Sequence, residues 1–142
     1  MTNMDKMRQF IEKFVESDSV KKEVGEVKNF KEWLKTFDLE KISQDALDEL
    51  IELVGAAEER SKIALIDLMR LLFQYEGQAA HILYKHWETF DLTIFQYLLC
   101  MDIKDPNNKV IHNYHLVCLK MLGNIFQTQT GLDFIMDKEP AT

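Results

Sequence analysis

IALIDLMRLLFQY, residues Ile63 to Tyr75, decides the fold, because it is apolar almost all the way round and carries one narrow polar stripe. At the 100° per residue of a helix, Asp67, Arg70 and Gln74 fall within about 60° of one another. Leu65, Ile66, Leu68, Met69, Leu71, Leu72 and Phe73 cover nearly all the rest. A helix with that wheel has to be packed on most of its sides, so it belongs at the centre of a helical assembly, and its free strip is where Arg70 meets solvent.

The rest of the chain is consistent with an all-α protein. A length of 142 residues with 46% hydrophobic residues is enough for one domain with a sizeable core. Two prolines and five glycines are too few turn signals for many short strands. The formal charge of −7 is uneven: residues 1 to 59 hold 9 Lys and Arg against 15 Asp and Glu, and residues 60 to 142 hold 8 against 9. An acidic surface repels phosphate backbones, and no basic stripe with interleaved aromatics is present, which argues against nucleic acid. No apolar run of about 18 residues suggests a membrane span, and no signal peptide is apparent. Cys100 and Cys118, in apolar helical surroundings, read as small core residues of a reducing, cytoplasmic or nuclear compartment.

Upstream of the central stretch, Asp5 to Ser17 places Met7, Phe10, Ile11, Phe14 and Val15 at helical spacing. Val20, Val24 and Val27 continue a thinner line broken at Gly25, and Asn29 is placed to cap a helix from Phe30 to Phe37, with Trp33 as a core anchor. Ser43 and Asp45 open a helix to about Ala57, and Glu58 to Ser61 starts the central one with acids at the positive end of its dipole. Downstream, Gly77 suggests a sharp turn, Gln78 to Trp87 a short helix, and Asp91 or Thr93 the cap of another through Ile94 to Leu99. DIKDPNNK, Asp102 to Lys109, is the clearest loop and the expected mobile one. A second central helix, Asn113 to Thr128, carries Lys120, Gly123, Asn124 and Gln127 in a band about 100° wide. Leu119, Met121, Leu122, Ile125 and Phe126 are expected on its inward side, Gly131 at its end, and Leu132 to Met136 as a last short helix. The domain organisation expected is residues 1–42 as N-terminal helices packing on or capping a repeat, and 43–142 as the repeat itself.

That repeat is legible in the letters. Laying Ile66 to Leu83 over Leu119 to Met136 aligns Phe73-Gln74 with Phe126-Gln127, Gly77 with Gly131 and Ile82-Leu83 with Ile135-Met136, an offset of about 53 to 54 residues. Armadillo and HEAT units run to roughly 40 to 47 residues, and the DIKDPNNK loop accounts for the excess. In this register Asp67 falls on Lys120, Arg70 on Gly123 and Gln74 on Gln127, so the polar stripes occupy equivalent places in an armadillo/HEAT-like α-solenoid, where such faces build a shared concave surface.

Two stretches, ALIDLMRLLFQ (Ala64 to Gln74) and NYHLVCLKMLGNIFQTQTGLDFIM (Asn113 to Met136), resemble the PUL domain. Its pattern is an aliphatic-Asp-aliphatic-aliphatic-Arg-Leu helix, matched by Ile66 to Leu71, followed by a Leu-rich helix ending in Asn-x-Phe, a Gly and an aliphatic pair, matched by Leu119, Leu122, Asn124, Phe126, Gly131 and Ile135-Met136. The resemblance covers about residues 45 to 137. It implies an armadillo-like, non-enzymatic adaptor whose concave groove binds the acidic, aromatic C-terminal tail of the AAA ATPase valosin-containing protein, in ubiquitin-dependent protein handling. Arg70 would be a groove arginine donating to a carboxylate, with Asp67 orienting it from one turn away. The partner-binding set is Arg70, Asp67, Gln74, Lys120, Asn124 and Gln127, in which Lys120 adds longer-range attraction and Asn124 bonds backbone between repeats. Two departures stand: the family's domain is longer, with a second groove arginine that nothing here matches, and the total charge is acidic. The expectation they leave is a fragment, a short variant, or a groove with a weaker or different ligand.

No cofactor is expected. His112, His115 and Cys118 recur every three residues, yet they spread over about 120° of the wheel and lack a fourth ligand for zinc. Asp102 and Asp105 lack the ligand density of an EF-hand, and no phosphate loop, nucleophile elbow or paired-carboxylate cleft is found. The competing readings are a helical-repeat scaffold that binds another helix or self-associates, and a metal-dependent enzyme.

Overall fold

Eight α-helices follow from the capping and periodicity of the chain, and the computed structural model describes them over residues 2–96 and 107–137. They are α1 (Asn3–Val15), α2 (Asp18–Glu23), α3 (Lys28–Thr36), α4 (Gln44–Ala56), α5 (Glu59–Leu72), α6 (Glu76–Phe90), α7 (Lys109–Gln127) and α8 (Gln129–Asp137). A π-helical turn, Asp91–Gln96, continues α6. No strand occurs among the described residues, and none of their helices is long and apolar enough to cross a membrane. Side-chain caps set several starts: Thr2 and Asp5 form a reciprocal capping box, and Ser17, Ser43 and Asn108 accept from the amides of Val20, Ala46 and Ile111.

The architecture is an all-α helical repeat. Helices α5 and α6 follow one another across a three-residue turn, as α7 and α8 do across Thr128; α5 lies along α7 in the most extensive helix contact of the described residues, and α6 packs between α4 and α8. Leu65, Ile66, Leu68, Met69 and Leu72 of α5 are fully buried, as the wheel of this stretch requires. Phe134 of α8 packs its ring 4.9 Å from Trp87 and 5.4 Å from Tyr84, so aromatic contacts join α6 to α8. Hydrogen bonds among the described residues tie α5 and α6 to α7 and α8 at positions 53 or 54 residues apart: Asn124 Nδ2 donates to Arg70 O, and the amides of Gln129 and Thr130 donate to Glu76. Stacking of equivalent units places equivalent positions side by side, and the repeat offset seen in the sequence is the same one.

Helices α1 and α3 complete the other flank. α1 rests on α5 and α3 on α4, and Ile11, Val15, Phe30, Trp33 and Leu34 enter the same core as α4 and α5. Trp33 is buried, with its indole N–H donated to Asp38 O at 2.9 Å, which is the role of a core anchor. Gly25 with φ +112° and Val27 with φ +41° turn the chain between α2 and α3.

Several local expectations are corrected. Helix α3 starts at Lys28 after Val27, so Asn29 lies inside it and caps nothing. Gly77 makes no turn: the chain reverses at Phe73–Tyr75 through the bonds Gln74 N to Leu71 O and Tyr75 N to Leu72 O, and α6 begins at Glu76. Neither Asp91 nor Thr93 opens a new helix. Thr93 Oγ1 instead donates back to Thr89 O, within the run from α6 into the π turn. Helix α7 buries Ile111, Tyr114, Val117, Cys118, Met121 and Ile125, whereas Leu119 and Phe126, placed inward by the wheel, are 65% and 46% exposed. Gly131 ends no helix; it lies inside α8, where an added Cβ would come within 2.0 Å of Ile125 O. The residues Tyr97, Leu98, Leu99 and Cys100, most of the Asp102 to Lys109 loop with Asp102 and Asp105, and the polar end after Asp137 lie outside the described residues.

One buried charge had no sequence signal. Lys62 is 5% exposed, and its ammonium donates to Val54 O at 2.5 Å, at the negative end of α4. Burial lowers its pKa from the usual lysine value.

Candidate partner-binding surface

The polar strip lies on α5 and α7, the helices in closest contact. Arg70 Nε donates to Asp67 Oδ1 at 2.7 Å, one helical turn back, and the two side chains are 27% and 36% exposed. A pair this open contributes only about 0.3–0.5 kcal/mol to stability. What it fixes is direction, since Nε is held by Asp67 while both Nη nitrogens make no hydrogen bond to a described residue. They are the part of the guanidinium that matches a carboxylate fork.

Asn124 holds the two helices together. Near the end of α5, Met69 O accepts from Phe73 N, Leu71 O from Gln74 N and Leu72 O from Tyr75 N. The carbonyl of Arg70 falls between these and takes the Asn124 amide at 2.7 Å instead. This is the inter-repeat backbone bond that the residue's position in the stripe suggested, and it leaves Asn124 half-buried. Gln74, Lys120 and Gln127 are exposed. The structure therefore joins Arg70 to both Asp67 and Asn124 and leaves Gln74, in the turn after α5, and Lys120 and Gln127 of α7 exposed. Gly123, equivalent to Arg70, has nothing within 4 Å of where a Cβ would stand.

An apolar stripe escaped the sequence reading. Leu116, Leu119 and Phe126 of α7 are 51%, 65% and 46% exposed, on the side away from its buried row. Their i, i+3, i+10 spacing was visible, but a helix with two apolar rows does not announce which one is covered. A cleft of about 1060 Å³ lies elsewhere, between α1 and α3, lined among others by Arg8, Glu12, Lys31 and Lys35, and its lining does not include Arg70.

The helical histidines do not assemble as a metal site with Cys118. His112 is exposed, His115 Nδ1 pairs with Ile111 O in its own helix, and the Cys118 thiol is pushed up to about 12 by burial, against the lowering effect of a Tyr114 hydrogen bond. A thiol so disfavoured from ionising is a core group.

A stacked helical-repeat frame with a carboxylate-matching arginine on α5 and exposed apolar side chains on the neighbouring α7 is the frame of a protein-interaction module. The chain belongs to the PUL domain family, whose sequence model matches residues 2–142. The match thus takes in α1 to α3 as well as the 45–137 region that carries the motifs. No curated protein and no solved structure matches the chain.

Proposed function

We propose that this PUL domain is a non-enzymatic adaptor that captures the acidic, aromatic C-terminal tail of the AAA ATPase valosin-containing protein, in ubiquitin-dependent protein handling in the cytoplasm or nucleus. The observation that carries the reading is the part-exposed Arg70, held by Asp67 with both Nη nitrogens unbonded to described residues. A carboxylate on that fork forms a charge-assisted pair, and an aromatic side chain of the tail finds Leu119 and Phe126 on the adjoining helix. Lys120 adds attraction across solvent. Residues 1–42 serve in this reading as the cap of the repeat, covering the α4–α5 flank.

Calorimetry with an acidic, tyrosine-containing peptide ending in a free carboxylate tests it. Binding by the native chain that is lost in Arg70→Ala, with an unchanged helical spectrum, supports the reading; no binding at low salt and high protein concentration removes it. The alternative, a scaffold that self-associates or docks another helix, is favoured by the exposed Leu116, Leu119, Leu132, Ile135 and Met136. Sedimentation distinguishes the two, since self-association makes the mass depend on concentration and Leu119→Lys abolishes that dependence.

A further inference from the structure

We propose that Asp48 of α4 with His81 and His86 of α6 forms a binding site for a divalent transition-metal ion, of which zinc is the type. Oδ1 of Asp48 faces Nε2 of His81 at 2.7 Å and Nε2 of His86 at closer range, and the three ligand atoms lie within 4.8 Å of one another. The side chains are 25%, 7% and 18% exposed, so the group is largely shielded yet reachable. Two imidazoles and one carboxylate are a donor set that zinc accepts; with bonds of about 2.0–2.2 Å its tetrahedral ligands stand roughly 3.4 Å apart, so the Asp48 carboxylate has to draw back from both rings to admit the ion. The fourth position would go to water from the shallow cleft of about 540 Å³ lined by Gln44, Gly77, Ala80, His81, Tyr84 and Lys85.

The backbone of α6 singles this cluster out. Residues five apart on a regular helix stand about 140° round from each other, so His81 and His86 should not share a ligand. At His86 the backbone leaves helical geometry, with φ −117° and ψ 15°, and the rings come to 5.4 Å between centroids. The distortion aims a second imidazole at an oxygen that His81 already occupies. Joining α4 to α6 by hydrogen bonds takes one histidine; convergence of two on a single oxygen is the geometry of ligands round a centre. Ligation uses the Nε2 lone pairs, so the proton each ring directs at Oδ1 moves to Nδ1 in the loaded form. Lys85, 55% exposed, donates to Oδ2 at 3.0 Å, which leaves Oδ1 to the ion and places a displaceable competing charge at the rim.

This assignment does not depend on tail capture. Zinc chloride titrated into the full chain in a calorimeter, in a buffer that does not bind metal, is expected to show one ion bound per chain in the micromolar range. His81→Gln, His86→Gln and Asp48→Asn should each weaken it by about ten-fold or more, while His115→Gln, with its fold checked by circular dichroism, leaves it unchanged. Lys85→Met, a rim change that spares the fold, should tighten it by about three-fold by removing a like charge. Cobalt(II) bound to the native chain should show the intense visible absorption of four-coordinate metal, a readout that needs no variant. Absence of saturable zinc binding by the native chain overturns the proposal, as does binding undiminished in His81→Gln/His86→Gln or unchanged in Lys85→Met.

Discussion

The carboxylate of Glu76 and the backbone amide of Thr130, 54 residues apart in the chain, lie 3.0 Å from each other, and the same carboxylate takes the Gln129 amide at 2.8 Å. Glu76 opens α6 while capping the start of α8, so a single side chain ties the second helix of one unit to the second helix of the next. The Thr130 hydroxyl, then the Thr130 and Gln129 amides, hold its carboxyl below the usual glutamate value. A lowered carboxylate pKa contributes stability that is present above the unfolded value, about 4.3, and is lost as pH falls through the folded one. Glu76→Gln is therefore expected to melt earlier than the native chain at neutral pH, with the gap closing on acidification. Thermal melts between neutral and acid pH measure this, and a gap independent of pH would contradict it.

Asn124→Ala should destabilise the chain by about 1–2 kcal/mol, because it strands the Arg70 carbonyl, which no amide of its own helix takes. Urea unfolding gives the loss. Since Arg70's guanidinium is not part of this bond, Asn124→Ala tests the stacking of the repeat and Arg70→Ala the docking surface, and the two effects should separate.

Gly131→Ala should cost about 3 kcal/mol or more, as its methyl would stand 2.0 Å from Ile125 O, a backbone atom that cannot swing away. A cost well under 1 kcal/mol, by the same urea measurement, would mean that α7 and α8 do not approach so closely in solution.

Gly131 also shows where a sequence stops being informative. A glycine after a helical run is read as a terminator, because helix ends most often explain it, but here the glycine is needed for a close approach that no local pattern encodes. The central stretch was legible for the opposite reason: an apolar wheel with one stripe has a single solution, burial on nearly every side, and α5 adopts it. The wheel of α7 has two apolar rows, so Leu119 and Phe126 read as inward from the letters alone, whereas Tyr114, Cys118 and Met121 hold that face. Arg70 and Asp67 could be found because both sit on one helix at i, i+3. Asp48, His81 and His86 could not, because their meeting depends on α4 packing against α6 and on a kink that turns His86 round the helix.

The same cluster makes a prediction for the metal-free chain. Partial burial raises the pKa of Asp48, but hydrogen bonds from His81, His86 and Lys85 together outweigh it and bring the carboxyl down from 3.8 to about 2. Being depressed, this group stabilises the fold above its unfolded value and ceases to do so as pH falls from about 4 towards about 2. With solvent screening discounted, the contribution is about 1 kcal/mol. Asp48→Asn keeps the shape and removes the charge, so in the presence of a chelator it should be less stable than the native chain at neutral pH by about that amount, with most of the gap closed as pH falls from about 4 to about 2. Urea unfolding at several pH values decides the point: a deficit that persists unchanged at the acid end would show that Asp48 acts through packing and not through its charge.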